Sequence, residues 1–261
     1  MRQWVAVLAV AVSGCTEVAT DPNAIVSVRF EGSSYPSIVV GDTLRDSLGS
    51  LQPLRATALN YKNNPVPAAE FVFSSPDTVL KMLNTGDVVA LARKSDGAPA
   101  RVYATIGSLQ SQADSLFTVP RADSIARGKD SETIIVSASG GVSAVDSLRF
   151  FLFGDTLAGA PKTPVNAWLV SFQLRYHGAL IPPADTSIAY TFEASGGATP
   201  RRIATFIDTT DTQGKAARRV FVRSISTAVT EDTIFLVATA RPRTRTGEKF
   251  FSETMILLRR Q

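Results

Sequence analysis

The 261-residue chain is poor in the side chains that most often build metal centres and catalytic sites. It has one cysteine, Cys15, and one histidine, His177. A single cysteine can form no intramolecular disulfide. No metal-ligand cluster, pair of catalytic carboxylates or nucleophile motif stands out either. We therefore expect no enzyme, no cofactor and no metal site.

Excess charge and long apolar runs are also scarce. The net charge is only +4 and the basic residues are dispersed, which gives no electrostatic reason to expect a nucleic-acid partner. A helix that crosses a bilayer needs about 20 apolar residues, whereas residues 4–12 supply nine. Because Arg2 precedes this run and the small residues Ser13 and Gly14 follow it, residues 1–14 are predicted to be a cleaved signal peptide.

The sequence VSGC at residues 12–15 resembles a bacterial lipobox, although Val12 stands where that family most often has leucine. The resemblance implies that Cys15 is lipidated and becomes the N-terminus after cleavage, with residues 15–23 as a tether. Two or more acyl chains would hold the protein firmly on a membrane. Thr16, in place of an aspartate, implies the outer membrane. The alternatives are that Cys15 is a core residue or a spare thiol.

Helical periodicity is missing beyond the signal segment. The rest of the chain consists of short runs rich in Val, Ile, Thr and Phe, separated by Gly, Pro, Asn and Asp. Several runs alternate apolar and polar residues, as half-buried strands do. Many short strands with frequent turns are typical of β-sandwiches. We predict an all-β protein of two tandem sandwiches.

Four motifs in residues 24–119 resemble bacterial Ig-like domains of the group 2 type. They are VGDT at 40–43, the turn NNPV at 63–66, FSSPD at 73–77 and an alternating strand that ends at 106–107. Phe71 or Phe73 replaces the tryptophan of the family, and Gly86 matches the glycine before its fifth strand. The resemblance implies that residues 24–119 form a first Ig-like domain.

Residues 120–261 are predicted to form the second sandwich, because Pro120 ends a strand and residues 121–130 are polar. The segment TDTQGKA at 210–216 resembles a turn of the invasin-like group 1 Ig-like domains. In that turn Gly214 would supply a positive φ. We expect residues 203–207 and 216–222 to be core strands beside it. Residues 121–164 match no family and are candidates for additional strands.

Two groups of residues are candidates for chemistry. A Ser-His-Asp hydrolase would have to use His177, with Asp185 nearby, but no G-x-S-x-G elbow accompanies it, which favours a histidine at a strand end. Asp208 and Asp211, with Asp185 or Asp232, are candidates for calcium. Their spacing departs from the EF-hand pattern and favours an Asx-type turn instead.

A basic segment at residues 240–249 is the candidate binding loop. It carries four cations that we expect on one hairpin loop: Arg241, Arg243, Arg245 and Lys249. There they would contact an anionic glycan or an acidic protein. The alternative interpretation is a solvated turn with no ligand. The arginine pairs at 201–202 and 218–219 are expected at strand ends.

Exposed aromatic side chains offer a second way to bind glycans. Trp168 and Tyr176 lie eight residues apart, so on one unbroken strand they would share a face. Packing in the core is the favoured role of Trp168.

These observations favour a non-catalytic lipoprotein of the bacterial cell envelope, anchored to the membrane through Cys15. Its Ig-like domains would serve as a spacer, an adhesive module or a module that binds proteins or glycans. Two alternatives stay open. An envelope carbohydrate-active or hydrolytic enzyme would show a concave, residue-lined pocket. A structural subunit of an envelope complex would show a flat sandwich with a long uncovered strand.

Overall fold

The computed structural model of the chain describes residues 23–83, 85–137, 143–144, 147–154, 162–193, 206–223, 230–241 and 250–260. In these ranges every named element is a β-strand, and the predicted all-β sandwich class is confirmed. No helix in these ranges is long and apolar enough to cross a membrane. The signal segment and Cys15 lie outside the described residues.

The first nine strands form three small sheets. A five-stranded sheet has the order β2-β9-β7-β4, with β8 beside β7, and two-stranded sheets join β1 to β3 and β5 to β6. The strand bounds are β1 Ser27–Phe30, β2 Ser37–Val39, β3 Ala56–Leu59, β4 Val72–Ser74, β5 Leu80–Met82, β6 Val88–Ala90, β7 Ala100–Ile106, β8 Leu109–Gln110 and β9 Asp114–Val119.

The remaining twelve strands form two six-stranded sheets. One has the order β10-β13-β19-β12, with β14 beside β13 and β17 beside β19; the other has the order β11-β21-β20-β15-β16, with β18 beside β15. The strand bounds are β10 Ala122–Arg127, β11 Ser131–Val136, β12 Ser143–Ala144, β13 Leu148–Gly154, β14 Thr163–Pro164, β15 Leu169–Tyr176, β16 Ala179–Ile181, β17 Ala189–Glu193, β18 Ile207–Thr209, β19 Lys215–Val222, β20 Glu231–Ala240 and β21 Phe250–Arg260.

Strand alternation builds the core between the two six-stranded sheets. On β15, Val170, Phe172 and Leu174 are buried while the residues between them are partly exposed. Phe150 of β13 meets Phe172 from the opposite sheet, with ring centroids 5.7 Å apart. Each fully buried side chain of this size contributes about 1.5–3 kcal/mol. This core therefore fixes which face of each strand points inward.

Each group of strands is closed by a parallel pair between an early strand and its last strand. β2 pairs in parallel with β9, and β11 pairs in parallel with β21. Parallel neighbours need a long connection between them. Here the connection consists of β3–β8 in the first group and β12–β20 in the second. Among the described residues, no strand of β1–β9 pairs with a strand of β10–β21. The division of the chain near residue 120 into two folding units stays a prediction.

The stretch without a family resemblance, residues 121–164, supplies strands to the second group. β10, β13 and β14 lie in one of its sheets and β11 lies in the other. Only the end of the expected core strand at residues 203–207 is described. Phe206 packs against the core, and Ile207 begins β18 with 51% of its surface exposed; residues 203–205 lie outside the described residues, so the strand stays a prediction.

Gly214 has the conformation predicted for it. Its φ is +71°, in the left-handed region that favours glycine. It ends a turn in which Asp211 Oδ1 accepts hydrogen bonds from the backbone N–H groups of Gln213 and Lys215. The predicted Asx-type turn at Asp211 is therefore present, and it leads directly into β19.

Candidate functional site

The two groups of strands meet in a buried junction. Only residues 120–121 separate β9 from β10. The ring of Tyr35 packs edge-on against that of Trp168, with centroids 5.8 Å apart and an interplanar angle of 74°. Tyr35, Val39 and Val119 belong to the same continuous apolar cluster as the core of the second group. The junction is thus built like a protein core.

Hydrogen bonds fix the geometry of this junction. The backbone N–H of Leu169 donates to Tyr35 Oη at 2.7 Å. Ser37 Oγ donates to the carbonyl oxygen of Ala167 at 2.9 Å, and Ser37 is fully buried. A buried hydroxyl without such a partner would be unfavourable by about 1–3 kcal/mol. The two groups therefore have one preferred mutual orientation.

Trp168 is a core residue, as the sequence favours. Its side chain is fully buried, and its indole Nε1 donates to the carbonyl oxygen of Arg241 at 3.2 Å. Tyr176 packs against the same core from the end of β15. Trp168, just before β15, and Tyr176, at its end, therefore both pack on the core side and form no exposed glycan platform.

A cavity of about 260 Å³ lies beside the junction. Its one ionised lining side chain is Arg241, and the lining is otherwise apolar or hydroxylic: Tyr35, Ser47, Leu48, Leu169, Ser171, Ile207 and Thr239. Arg241 is exposed, and it is the only described member of the predicted binding loop. Arg243, Arg245 and Lys249 lie outside the described residues, so that loop stays a prediction.

His177 lies in a hairpin turn and bonds a carboxylate. His177 and Gly178 have φ values of +49° and +78°, the two positive values that a tight β15–β16 hairpin needs. His177 Nε2 lies 2.8 Å from Asp232 Oδ1, and the ring stacks on Tyr176 with centroids 4.1 Å apart. Among the described residues, its contacts include no serine hydroxyl. The hydrogen bond to Asp232 and the stacking on Tyr176 hold the histidine in the turn.

Asp232 is shared by three donors. Tyr176 Oη donates to Oδ2 at 2.5 Å, and the Thr233 N–H donates to Oδ1 at 2.8 Å. Burial alone would raise the pKa of Asp232, but the hydrogen bonds from Tyr176, Thr233 and His177 outweigh it and lower that pKa. The bond to Asp232, with burial and the nearby negative charge, raises the pKa of Tyr176 to about 12.

Asp208 bonds a buried arginine. Arg218 is 2% exposed, and its Nη1 lies 2.6 Å from Asp208 Oδ2. Its guanidinium also lies 5.0 Å from the ring centroid of Phe172 in the core. The expectation that residues 218–219 lie at a strand end is wrong, because both lie inside β19. Within the described residues, no group of three or more His, Cys, Asp or Glu side chains is placed to hold a metal.

The surface with the most unusual chemistry is the outer side of the sheet formed by β13, β19 and β17. Strand alternation and register place nine side chains there, five of them aromatic and three of them cationic: Arg149, Phe151, Phe153, Tyr190, Phe192, Lys215, Ala217, Arg219 and Phe221. We call this surface the aromatic face. The outer side of an antiparallel sheet is normally polar.

The rings of the aromatic face contact one another across the strands. Tyr190 lies opposite Phe221 in the register, with nearly parallel rings whose centroids are 5.7 Å apart. Phe192 contacts Phe221 with centroids 4.5 Å apart. Arg219 and Arg223 lie over the rings of Phe221 and Tyr190 at 5.6 and 5.8 Å.

The sequence patterns described above did not predict this surface. Its signal is aromatic residues at every second position in RFFLF at 149–153 and AYTFE at 189–193. Because apolar residues also fill the alternate positions, the pattern does not show which side faces the core.

No protein-family model and no curated protein matches this chain. Similar solved structures include the adhesin InvE of Yersinia pseudotuberculosis, with a TM-score of 0.32 and 12% identity over 88% of this chain and 58% of that one. Drosophila N-cadherin EC1-4 gives 0.31 and 10%, over 92% of this chain and 51% of that one. The PapD-like domain 7 of human CEP192 gives 0.32 and 10%, over 54% and 88%. This chain thus spans little more than half of the adhesin and cadherin chains, and likeness at these scores assigns it neither a family nor an activity.

Proposed function

We propose that this chain is a non-catalytic lipoprotein of the bacterial cell envelope, anchored through Cys15, whose two sandwich units form a rigid spacer that carries a binding surface. The observation that carries the proposal is the junction at Tyr35 and Trp168. Units joined by a small polar interface normally move relative to one another. A buried, hydrogen-bonded junction after a two-residue linker instead suits a protein that holds a surface at a fixed distance from its anchor.

The rigidity is testable with spin labels, since Cys15 is the only native cysteine. In a Cys15→Ser background, labels at Lys81→Cys and Thr212→Cys would occupy exposed positions in the two units. Electron–electron double resonance should give one narrow distance distribution. Tyr35→Ala should broaden it, because the substitution removes the ring that packs on Trp168.

The control for that variant is Tyr61→Ala, which truncates a tyrosine that is 46% exposed. It should leave the distribution unchanged. A broad distribution in the chain with an intact junction would refute the rigid spacer.

The anchor is tested separately. Metabolic labelling with a clickable fatty acid should mark the protein in a bacterial host, and Cys15→Ser should abolish the label. Thr16 supports placement in the outer membrane, which fractionation of the labelled envelope measures. Equal labelling of the two proteins would contradict lipidation at Cys15.

A further inference from the structure

We propose that the aromatic face binds a chain of acidic sugars. This inference deepens the proposed function by naming the ligand class of its binding surface, and it rests on that function for access to envelope or extracellular glycans. The ligand would lie across β17 and β19, over the contiguous rings of Tyr190, Phe192 and Phe221.

The rings provide the stacking half of the recognition. Tyr190, Phe192 and Phe221 are each partly exposed on the outer side of the sheet. A sugar ring has an apolar face of C–H groups, and an aromatic ring offers it a large, rigid apolar surface with little side-chain entropy to lose. Three contiguous rings suit a flat ligand with several such faces.

The cationic side chains provide the second part of the recognition, which is electrostatic attraction to an anion. The described outward positions of β13, β17 and β19 carry Arg149, Lys215 and Arg219 and no acid. Glu193, the one acid in these strands, alternates to the opposite side, where its register partner is the buried Arg218. The face is therefore complementary to an anionic ligand.

Two cations are available and held in position: Arg219 on the aromatic face, and Arg223, which follows the end of β19 and lies over Tyr190. Lys215 is already paired with Asp211 at 3.1 Å. Arg219 and Arg223 have no ion pair among the described residues, and both guanidinium groups lie over aromatic rings. Such contacts orient a guanidinium, whose planar donors match the two oxygens of a carboxylate.

The length of the face suits a polymer better than a single sugar. Phe221 lies six positions after Lys215 on β19, which is about 20 Å at the usual rise of a strand. Single-stranded nucleic acids also stack on aromatic rings, but they need a positively charged groove that follows the phosphate backbone. On the aromatic face the guanidinium groups of Arg219 and Arg223 lie over the rings themselves, an arrangement that favours a glycan, whose carboxylates are attached to the sugar rings that stack.

The test uses the purified full chain and polygalacturonate as the probe. Biolayer interferometry should detect binding that weakens with salt, and neutral dextran should bind more weakly. Arg219→Gln with Arg223→Gln should weaken polygalacturonate binding by about tenfold or more, as expected for the loss of charge-assisted hydrogen bonds.

The matched control is Arg175→Gln with Arg259→Gln, which removes the same charge from exposed positions on the other six-stranded sheet. It should leave binding unchanged. Phe221→Leu keeps an apolar side chain but removes a ring, and it should weaken binding, whereas Phe251→Leu on the other sheet should not. Urea unfolding of every variant checks that the fold is retained.

Three results would overturn the inference: no binding of polygalacturonate, equal weakening by both arginine pairs, or tighter binding of single-stranded oligo(dT) with the same dependence on Arg219 and Arg223. The spin-label distances and the lipid label do not depend on this face. If they behave as expected while the glycan test fails, the ligand assignment falls and the spacer function stands.

Discussion

The turn at Gly214 allows a quantitative test of the fold, because the chain contains a second turn glycine in similar backbone geometry, Gly178 of the β15–β16 hairpin. Gly214 and Gly178 have φ values of +71° and +78°. A Cβ at Gly178 would meet nothing within 4 Å, whereas a Cβ at Gly214 would lie 2.4 Å from the carbonyl oxygen of Leu152. Alanine at each position therefore separates backbone strain from steric conflict.

The expected losses of stability follow from these contacts. A left-handed conformation alone is unfavourable for alanine by roughly 1–2 kcal/mol. At Gly214 the carbonyl of Leu152 must also move, and it accepts the N–H of Val165 at 3.0 Å, while the Leu152 N–H donates to the Gly214 carbonyl at 2.8 Å. Weakening these two hydrogen bonds adds about 1 kcal/mol each. We expect a loss of about 3–4 kcal/mol for Gly214→Ala and about 1–2 kcal/mol for Gly178→Ala.

Urea unfolding of the purified chain measures the difference. With a slope of about 2–3 kcal/mol per molar urea, Gly214→Ala should lower the unfolding midpoint by about 1–2 M, and Gly178→Ala by about 0.3–1 M. Gly214→Val should be at least as destabilising as Gly214→Ala, since its side chain is larger and branched. Equal shifts for the two alanine variants would refute the close approach of β13 to this turn.

Asp208→Ala should destabilise the chain by about 2–3 kcal/mol, because it leaves Arg218 buried without its carboxylate. The additional change Arg218→Met should restore part of the lost stability. Calorimetry of the single and double variants measures both effects, and no recovery in the double variant would contradict the pairing. Stability should fall as the pH rises from about 10 to about 12, because the pKa of Tyr176 is about 12 in the folded chain and its ordinary value is 10.0; Tyr176→Phe should reduce this fall. The lowered pKa of Asp232 stabilises the fold above pH 3.8, and that contribution should be lost as the pH falls through the folded-state pKa. Replacing calcium by a chelator should leave the melting temperature unchanged, since a metal that binds only the folded state would raise it.

Local pattern was enough to predict the class of the fold and several of its turns. The alternating run that ends at residue 106 is β7, and the predicted turn glycine at 214 has the positive φ expected of it. These features follow from a few neighbouring residues, because strand alternation and left-handed turns are set by short-range sterics.

Pattern was not enough where both sides of a strand carry apolar or charged residues. The adjacent arginines 218 and 219 are indistinguishable in the sequence, yet Arg218 is buried over Phe172 and Arg219 lies on the aromatic face. Which of the two points inward depends on the register of β19 against β13 and on the sheet packed behind it. That register is set by contacts between residues that are far apart in the chain.

The sequence by itself determined the all-β class, the strand periodicity and the special backbone at Gly214, and its first fifteen residues carry the predicted lipid anchor. Only the tertiary structure decided that Tyr35 packs on Trp168, 133 positions further along the chain, and that Tyr190, Phe192 and Phe221 lie side by side on an outer sheet face. The physical reason is that backbone preference is local, whereas burial and ring contacts arise from the sum of many weak, non-directional apolar interactions, which are defined only once the sheets have packed.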